Sequence, residues 1–158
     1  MLDNIKMASS VKVEGQTEDI ELNLSNGRII YSQVKSVNNI DNTSNNISKL
    51  TESIRTLNNA VSSNRNNTER LIYITNSPNP FNDKSTVAMF SRKARVPFIS
   101  LPNSCKNKIR KIIADNSFTS IREDLLEVHI IPFFGENESR YETIKTTVIE
   151  LKDELLGF

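Results

Sequence analysis

The sequence contains few of the residues that build covalent or metal-bound frameworks. Among its 158 residues are one cysteine, one histidine and four glycines. Cys105 is alone, so it cannot form an intramolecular disulfide, and no thiolate cluster is present for zinc. This use of cysteine is typical of a reducing cytoplasm, where we expect the protein to reside. None of the glycines forms GxxxxGK or GxGxxG, which weighs against a nucleotide-binding α/β domain.

Long apolar runs and an excess of one charge are also missing. No stretch approaches the roughly 20 apolar residues of a membrane span, and MLDNIKM lacks the basic-then-apolar order of a signal peptide. The 20 Lys and Arg residues nearly balance 19 Asp and Glu residues, so no global field draws the chain to membrane or nucleic acid. Two local basic segments, residues 91–95 and 106–111, suit either DNA phosphates or an ordinary solvated face.

What the sequence does contain is a regular succession of strand and helix patterns. Alternating apolar and polar residues predict strands over 18–24 and 28–37, and ERLIYIT (69–75) predicts a central strand covered on both faces. Apolar residues at three- and four-residue steps predict helices over 47–61, 105–113 and 141–155.

Weaker patterns complete the order of elements. LDNIKMASS (2–10) suggests the end of a helix, VKVE (11–14) a first strand, and residues 77–95 a loop with a short helix. VPFIS (96–100) and LLEVHIIPFF (125–134) suggest further strands. The resulting order, α-β-β-β-α-β followed by β, α, β and α, predicts one α/β domain over residues 1–158, with a mixed sheet flanked by helices.

The hairpin around Asn26 and Gly27 allows two registers with different chemical consequences. A two-residue loop sets Asp19 opposite Val34 and divides the polar residues between the two faces. A three-residue loop, with Gly27 left-handed in a bulge, sets Asp19 opposite Gln33 and leaves Lys35 diagonal on the same face. We favour the three-residue loop because it gives the cleaner apolar face, formed by Ile20, Leu22, Ile30 and Val34.

This register brings together a carboxylate, an amide oxygen and an ammonium group. Oxygen ligands with open coordination positions suit Mg²⁺ or Mn²⁺, which activates water for attack on a phosphodiester. Lys35 would position that water and neutralise the phosphate. A second acid should complete the metal site, and the candidates are Glu14, Glu18 and Glu21.

VEGQTEDIEL followed by IIYSQVKS resembles the PD-(D/E)XK nuclease superfamily, in particular its D…QxK branch. The resemblance covers about residues 1–76 and implies a restriction-endonuclease-like sheet with the core order α-β-β-β-α-β. It places Asp19 and Gln33 at the metal, Lys35 at the catalytic lysine position and Glu14 at an acid often found before the aspartate. One departure is the N-terminal helix, which is longer in the family.

The resemblance implies a metal-dependent endonuclease that cuts double-stranded DNA, as an effector domain in bacterial anti-phage defence. Cutting both strands favours a homodimer or higher assembly, and control would come from a sensor domain or subunit outside this chain. The alternative is a catalytically inactive nuclease-fold module that binds protein or DNA.

Simpler roles compete at several of these residues. The face with Asp19, Gln33 and Lys35 could be the solvated side of an antiparallel hairpin. His129, on an apolar strand, is expected to be a hydrogen-bonded structural residue, and Cys105 a small core hydrophobe.

Overall fold

The structure, a computed structural model, describes residues 8–14, 19–37, 46–62, 64–90 and 94–131, with Glu14, Asp19 and Asn46 described by backbone position only. The predicted closing helix over 141–155 and the candidate ligand Glu18 lie outside these ranges. No helix in them is long and apolar enough to cross a membrane.

A six-stranded mixed sheet forms the centre of the described structure. Its strands are β1 (Ala8–Glu14), β2 (Asp19–Leu24), β3 (Ile29–Lys35), β4 (Thr68–Thr75), β5 (Ala94–Pro97) and β6 (Leu126–Ile130). They lie in the order β1-β2-β3-β4-β6-β5. The first three strands are antiparallel neighbours, β3, β4 and β6 are parallel, and β5 is antiparallel to β6. The predicted mixed α/β fold is therefore confirmed.

The helices are α1 (Asn46–Val61), α2 (Val87–Phe90) and α3 (Asn103–Asp115). Helix α1 makes the crossover that parallel pairing of β3 and β4 requires. The helices predicted over 47–61 and 105–113 and the short helix predicted within 77–95 are confirmed.

Two predicted elements were wrong in part. Residues 8–10 belong to β1 rather than to the end of a helix. The VPFIS segment was predicted as a strand, but β5 ends at Pro97 and a 3-10 turn follows over Phe98–Ser100. The turn is closed by a hydrogen bond from the Leu101 N–H to the Phe98 carbonyl, and it carries the Phe98 ring into the core.

Hydrophobic side chains pack on both faces of the sheet. The larger cluster joins β3, β4 and β6 to α1 and α3, with fully buried residues that include Leu50, Ile54, Leu71, Cys105 and Ile109. The smaller cluster, on the other face, consists of Leu22, Leu24, Ile30, Ile72 and Ile74. Strand β4 contributes to both clusters, so it is the central strand that its continuous apolar pattern predicted, and Cys105 is a core residue.

The hairpin between β2 and β3 has the predicted three-residue turn. Gly27 has a φ of 78°, in the left-handed region. The Leu24 N–H donates to the Arg28 carbonyl at 2.8 Å, and the Gly27 N–H donates to the Leu24 carbonyl at 3.0 Å. Asp19 therefore pairs with Gln33.

Candidate active site on strands β1 to β3

Three residues whose side chains carry oxygen atoms able to donate electron pairs to a metal ion occupy neighbouring register positions on three strands. Glu14 on β1 pairs with Asp19 on β2, which pairs in turn with Gln33 on β3. Neighbouring strands are about 4.8 Å apart, and directly opposed residues share a face of the sheet. We call Glu14, Asp19 and Gln33 the donor row. The predicted pairing of Asp19 with Gln33 is confirmed, while metal binding by these residues stays a prediction.

Gln33 and Lys35 do not lie on a solvated hairpin face. Gln33 is fully buried, and its Nε2 donates to the Val34 carbonyl at 3.4 Å. The Lys35 side chain, two residues further along β3, is 15% exposed. Helix α1 packs over this face of β3 and buries it. The simpler interpretation of these two residues as surface groups is therefore wrong.

Helix α1 supplies a carboxylate that the sequence analysis missed. Glu52 Oε1 lies 3.1 Å from Lys35 Nζ. The hydrogen bond from Lys35 holds the pKa of Glu52 below its ordinary value, against the opposing effect of partial burial. Glu52 is the one acid within α1. The contact with Lys35 depends on how α1 crosses over β3, which the apolar spacing of the helix does not show.

Strand β4 forms the side of the site next to β3. Gln33 pairs with Tyr73 and Lys35 with Thr75 in the parallel register. Burial raises the pKa of Tyr73 to about 12, so its phenol stays protonated at neutral pH. Thr75 is fully buried, and its Oγ1 accepts a hydrogen bond from the Ser77 N–H at 3.2 Å. The sequence pattern marked β4 as buried but did not show which residues would adjoin Gln33 and Lys35.

One side chain ties together the segments that follow β3 and β4. Asn76 Oδ1 accepts from the Val37 N–H at 2.8 Å, and Asn76 Nδ2 donates to the Val37 carbonyl at 3.0 Å. Asn76 is buried, so both bonds are shielded from water. These bonds hold Val37, which lies two residues after the end of β3 at Lys35, against the segment that follows β4.

The remaining acid candidate of the hairpin lies away from the donor row. Glu21 pairs with Lys12 and Tyr31 in the sheet register and lies two residues nearer the turn than Asp19. Its Oε1 accepts a hydrogen bond from Asn23 Nδ2 at 3.0 Å. Within the described ranges, no group of three His, Cys, Asp or Glu side chains could hold a metal ion.

The basic segment over 106–111 is engaged within the fold. All of its cations have protein partners: Lys106 with the Ile99 carbonyl, Lys108 with the Phe81 carbonyl, Arg110 with Glu123, and Lys111 with Asp115. These contacts favour an ordinary surface role over DNA binding. In the other segment, 91–93 lie outside the described residues, and Arg95 is exposed on β5.

His129 has the structural role that was expected. It is 5% exposed, and its Nε2 lies 2.8 Å from Glu127 Oε2. This hydrogen bond lowers the pKa of Glu127. His129 pairs with Ile74, a member of the smaller cluster, so it belongs to the face opposite Gln33.

Comparisons of the chain with protein-family models, with curated proteins and with solved structures gave no match. The likeness to the nuclease superfamily therefore stays a resemblance of motif and element order.

Proposed function

We propose that this domain is a metal-dependent DNA endonuclease that hydrolyses phosphodiester bonds at the donor row and Lys35. The observation that carries the proposal is the register of β2 and β3. It sets Asp19 opposite Gln33 and leaves Lys35 on the same face of β3. The succession of three antiparallel strands, a crossover helix and a parallel strand gives further support, because it is the order of the nuclease core after its first helix.

The chemistry of the donor row fits a hard divalent cation. Two carboxylates and one amide, on adjacent strands, offer only oxygen ligands and leave coordination positions open, as Mg²⁺ and Mn²⁺ prefer. Such an ion, when bound, lowers the pKa of a coordinated water and offsets charge on a phosphate. Gln33 would present its oxygen from a fixed position, since its side chain is fully buried.

The protein's own groups would orient and neutralise the phosphate. The Lys35 side chain is 15% exposed, and an ammonium in such a partly buried site attracts a phosphate oxygen more strongly than one in bulk water. The protonated Tyr73 and the buried Thr75 close the site on the β4 side and keep solvent from it.

The biological setting follows from the resemblance alone. We infer a cytoplasmic bacterial effector of anti-phage defence, acting on double-stranded DNA under the control of a sensor domain or subunit. A homodimer or higher assembly would supply one site for each DNA strand.

A plasmid assay tests the proposal. The purified protein should nick or linearise plasmid with Mg²⁺ or Mn²⁺ and should stop when EDTA is added. Asp19→Ala and Lys35→Ala should each slow cleavage about 100-fold or more, because each removes charge stabilisation at the reacting phosphate. The control Lys111→Ala removes a lysine whose partner is Asp115, on α3, and should cut at the wild-type rate. Cleavage that persists in both site variants would refute the assignment.

The second candidate is an inactive nuclease-fold module that binds protein or DNA. The ion pair between Lys35 and Glu52 favours it, because a carboxylate already neutralises the ammonium that a phosphate would need. In that case the activated, full-length protein would bind DNA or a partner protein without cutting, at any divalent cation concentration.

A further inference from the structure

We propose that Glu52 is a positioning residue, which holds the Lys35 ammonium in place for the phosphate. The catalytic consequence of this inference rests on the proposed nuclease function. The contact itself does not, since Glu52 Oε1 lies 3.1 Å from Lys35 Nζ in the protein without substrate.

The two partners differ in their exposure to solvent. The Lys35 side chain is 15% exposed, and that of Glu52 is 48% exposed. The Lys35 side chain is therefore largely covered by protein, while the Glu52 side chain lies toward the solvent. A half-exposed ion pair contributes little to stability, because water screens it. Its main effect is to restrict where the lysine head group lies.

Both partners are mounted on rigid elements. Lys35 pairs with Thr75 in the sheet, and the bridge from Asn76 to Val37 fixes the chain just beyond it. Glu52 precedes two fully buried residues, Ser53 and Ile54, which seat α1 on the sheet. A site built on packed elements of this kind holds its reacting groups with little freedom.

Lys35 needs such a partner because of its flexible stem. A lysine side chain has four rotatable methylene groups, and its ammonium spreads over many rotamers unless it is held. Lys49 and Arg55 also attract the Glu52 carboxylate electrostatically, but the hydrogen bond from Lys35 lowers the pKa of Glu52 the most. Among these three cations, Lys35 is therefore the one that is hydrogen-bonded to the Glu52 carboxylate.

The first test measures the lysine directly and requires no cleavage. In protein labelled with ¹³C-lysine, the Lys35 ε-methylene signals should report a restricted side chain in the wild type. Glu52→Gln should give narrow, averaged signals like those of exposed lysines, and Glu52→Asp should retain part of the restriction. The matched control Asp115→Asn breaks the ion pair of Lys111, at 2.9 Å on α3, and should leave Lys35 unchanged. Identical Lys35 signals in the wild type and Glu52→Gln would overturn the inference.

The second test separates this inference from the nuclease proposal. If the wild type cuts DNA, Glu52→Gln should lower kcat about 10- to 100-fold with little change in KM, because the ammonium is misplaced rather than lost. Glu52→Asp should recover part of kcat. An unchanged kcat in Glu52→Gln, beside an inactive Lys35→Ala, would refute positioning by Glu52 and leave the nuclease intact. Mobile Lys35 signals in Glu52→Gln, with a wild type that never cuts, would support the positioning and refute the nuclease.

Discussion

At the scale of single residues, we expect Asn76 to contribute more to the stability of the fold than its position in a loop suggests. Its amide satisfies both backbone groups of Val37, and all of these atoms are buried. Asn76→Ala should lower the free energy of unfolding by about 2–3 kcal/mol, because it leaves a buried donor and a buried acceptor without partners. Asn76→Asp keeps the acceptor but sets a buried carboxylate oxygen against the Val37 carbonyl, so at neutral pH it should be at least as destabilising as Asn76→Ala. Urea denaturation measures the difference.

The control for this prediction is Asn107→Ala, at an exposed position of α3. It should change the unfolding free energy by no more than about 0.5 kcal/mol. If Asn76→Ala proved as stable as this control, the bridge between the ends of β3 and β4 would not exist in solution.

Asp83 gives the clearest pH dependence among the described residues. Hydrogen bonds from the Ser85 hydroxyl, the Ser104 hydroxyl and the Ser85 N–H, with Lys108 nearby, lower the pKa of Asp83 to about 2. Because the folded state lowers this pKa below the ordinary 3.8, the ionised carboxylate stabilises the fold above about pH 4. That contribution is lost as the pH falls toward 2.

Asp83→Asn should therefore be less stable than the wild type at pH 6, with a gap that closes as the pH approaches 2. Urea midpoints of the two proteins at pH 6, 4 and 2.5 measure this convergence. A gap that stays constant over this range would show that the carboxylate is not held in its ionised form.

At the scale of the element, the hairpin depends on the backbone conformation of Gly27. A side chain at this position would meet no heavy atom within 4 Å, but the φ of 78° is unfavourable for residues with a Cβ. Gly27→Ala should therefore cost about 1–2 kcal/mol of unfolding free energy through backbone strain alone. Gly27→Asn should cost less, because asparagine tolerates the left-handed region better. Equal stability of Gly27→Ala and the wild type would contradict the three-residue turn.

Elements with a strong local pattern could be predicted from the sequence. The alternation in β2 and β3 favoured the three-residue turn with Gly27 over the two-residue turn, and α1 and α3 followed from their apolar spacing. The end of β5 was missed because Pro97 and the 3-10 turn after it interrupt an apolar run that reads as a strand.

The neighbours of the candidate site could not be predicted in the same way. Glu52 contacts Lys35 only because α1 crosses back over β3, and Tyr73 adjoins Gln33 only through the parallel register of β4. Both relations depend on tertiary packing, which local periodicity does not encode. The pairing of Asp19 with Gln33 could be predicted because a hairpin register is a short-range property of the chain, whereas Glu14 was proposed only as a nearby acid and from the family resemblance.

At the scale of the whole molecule, the sheet combines an antiparallel half with a parallel half. The donor row lies across β1, β2 and β3, and α1 buries the β3 end of this face, where Lys35 lies. The two hydrophobic clusters pack on opposite faces of the sheet, and both include residues of β3 and β4, the strands that carry and adjoin Gln33 and Lys35.

The most direct test of the central claim is a Mn²⁺ titration of the metal-free protein followed by NMR. Binding at the donor row should broaden the backbone amide signals of Asp19, Gln33 and Lys35 before any others, and Asp19→Asn should abolish this pattern. Broadening centred elsewhere, for example around Asp83 or Glu123, or no site-specific broadening at all, would contradict a metal site on β1 to β3.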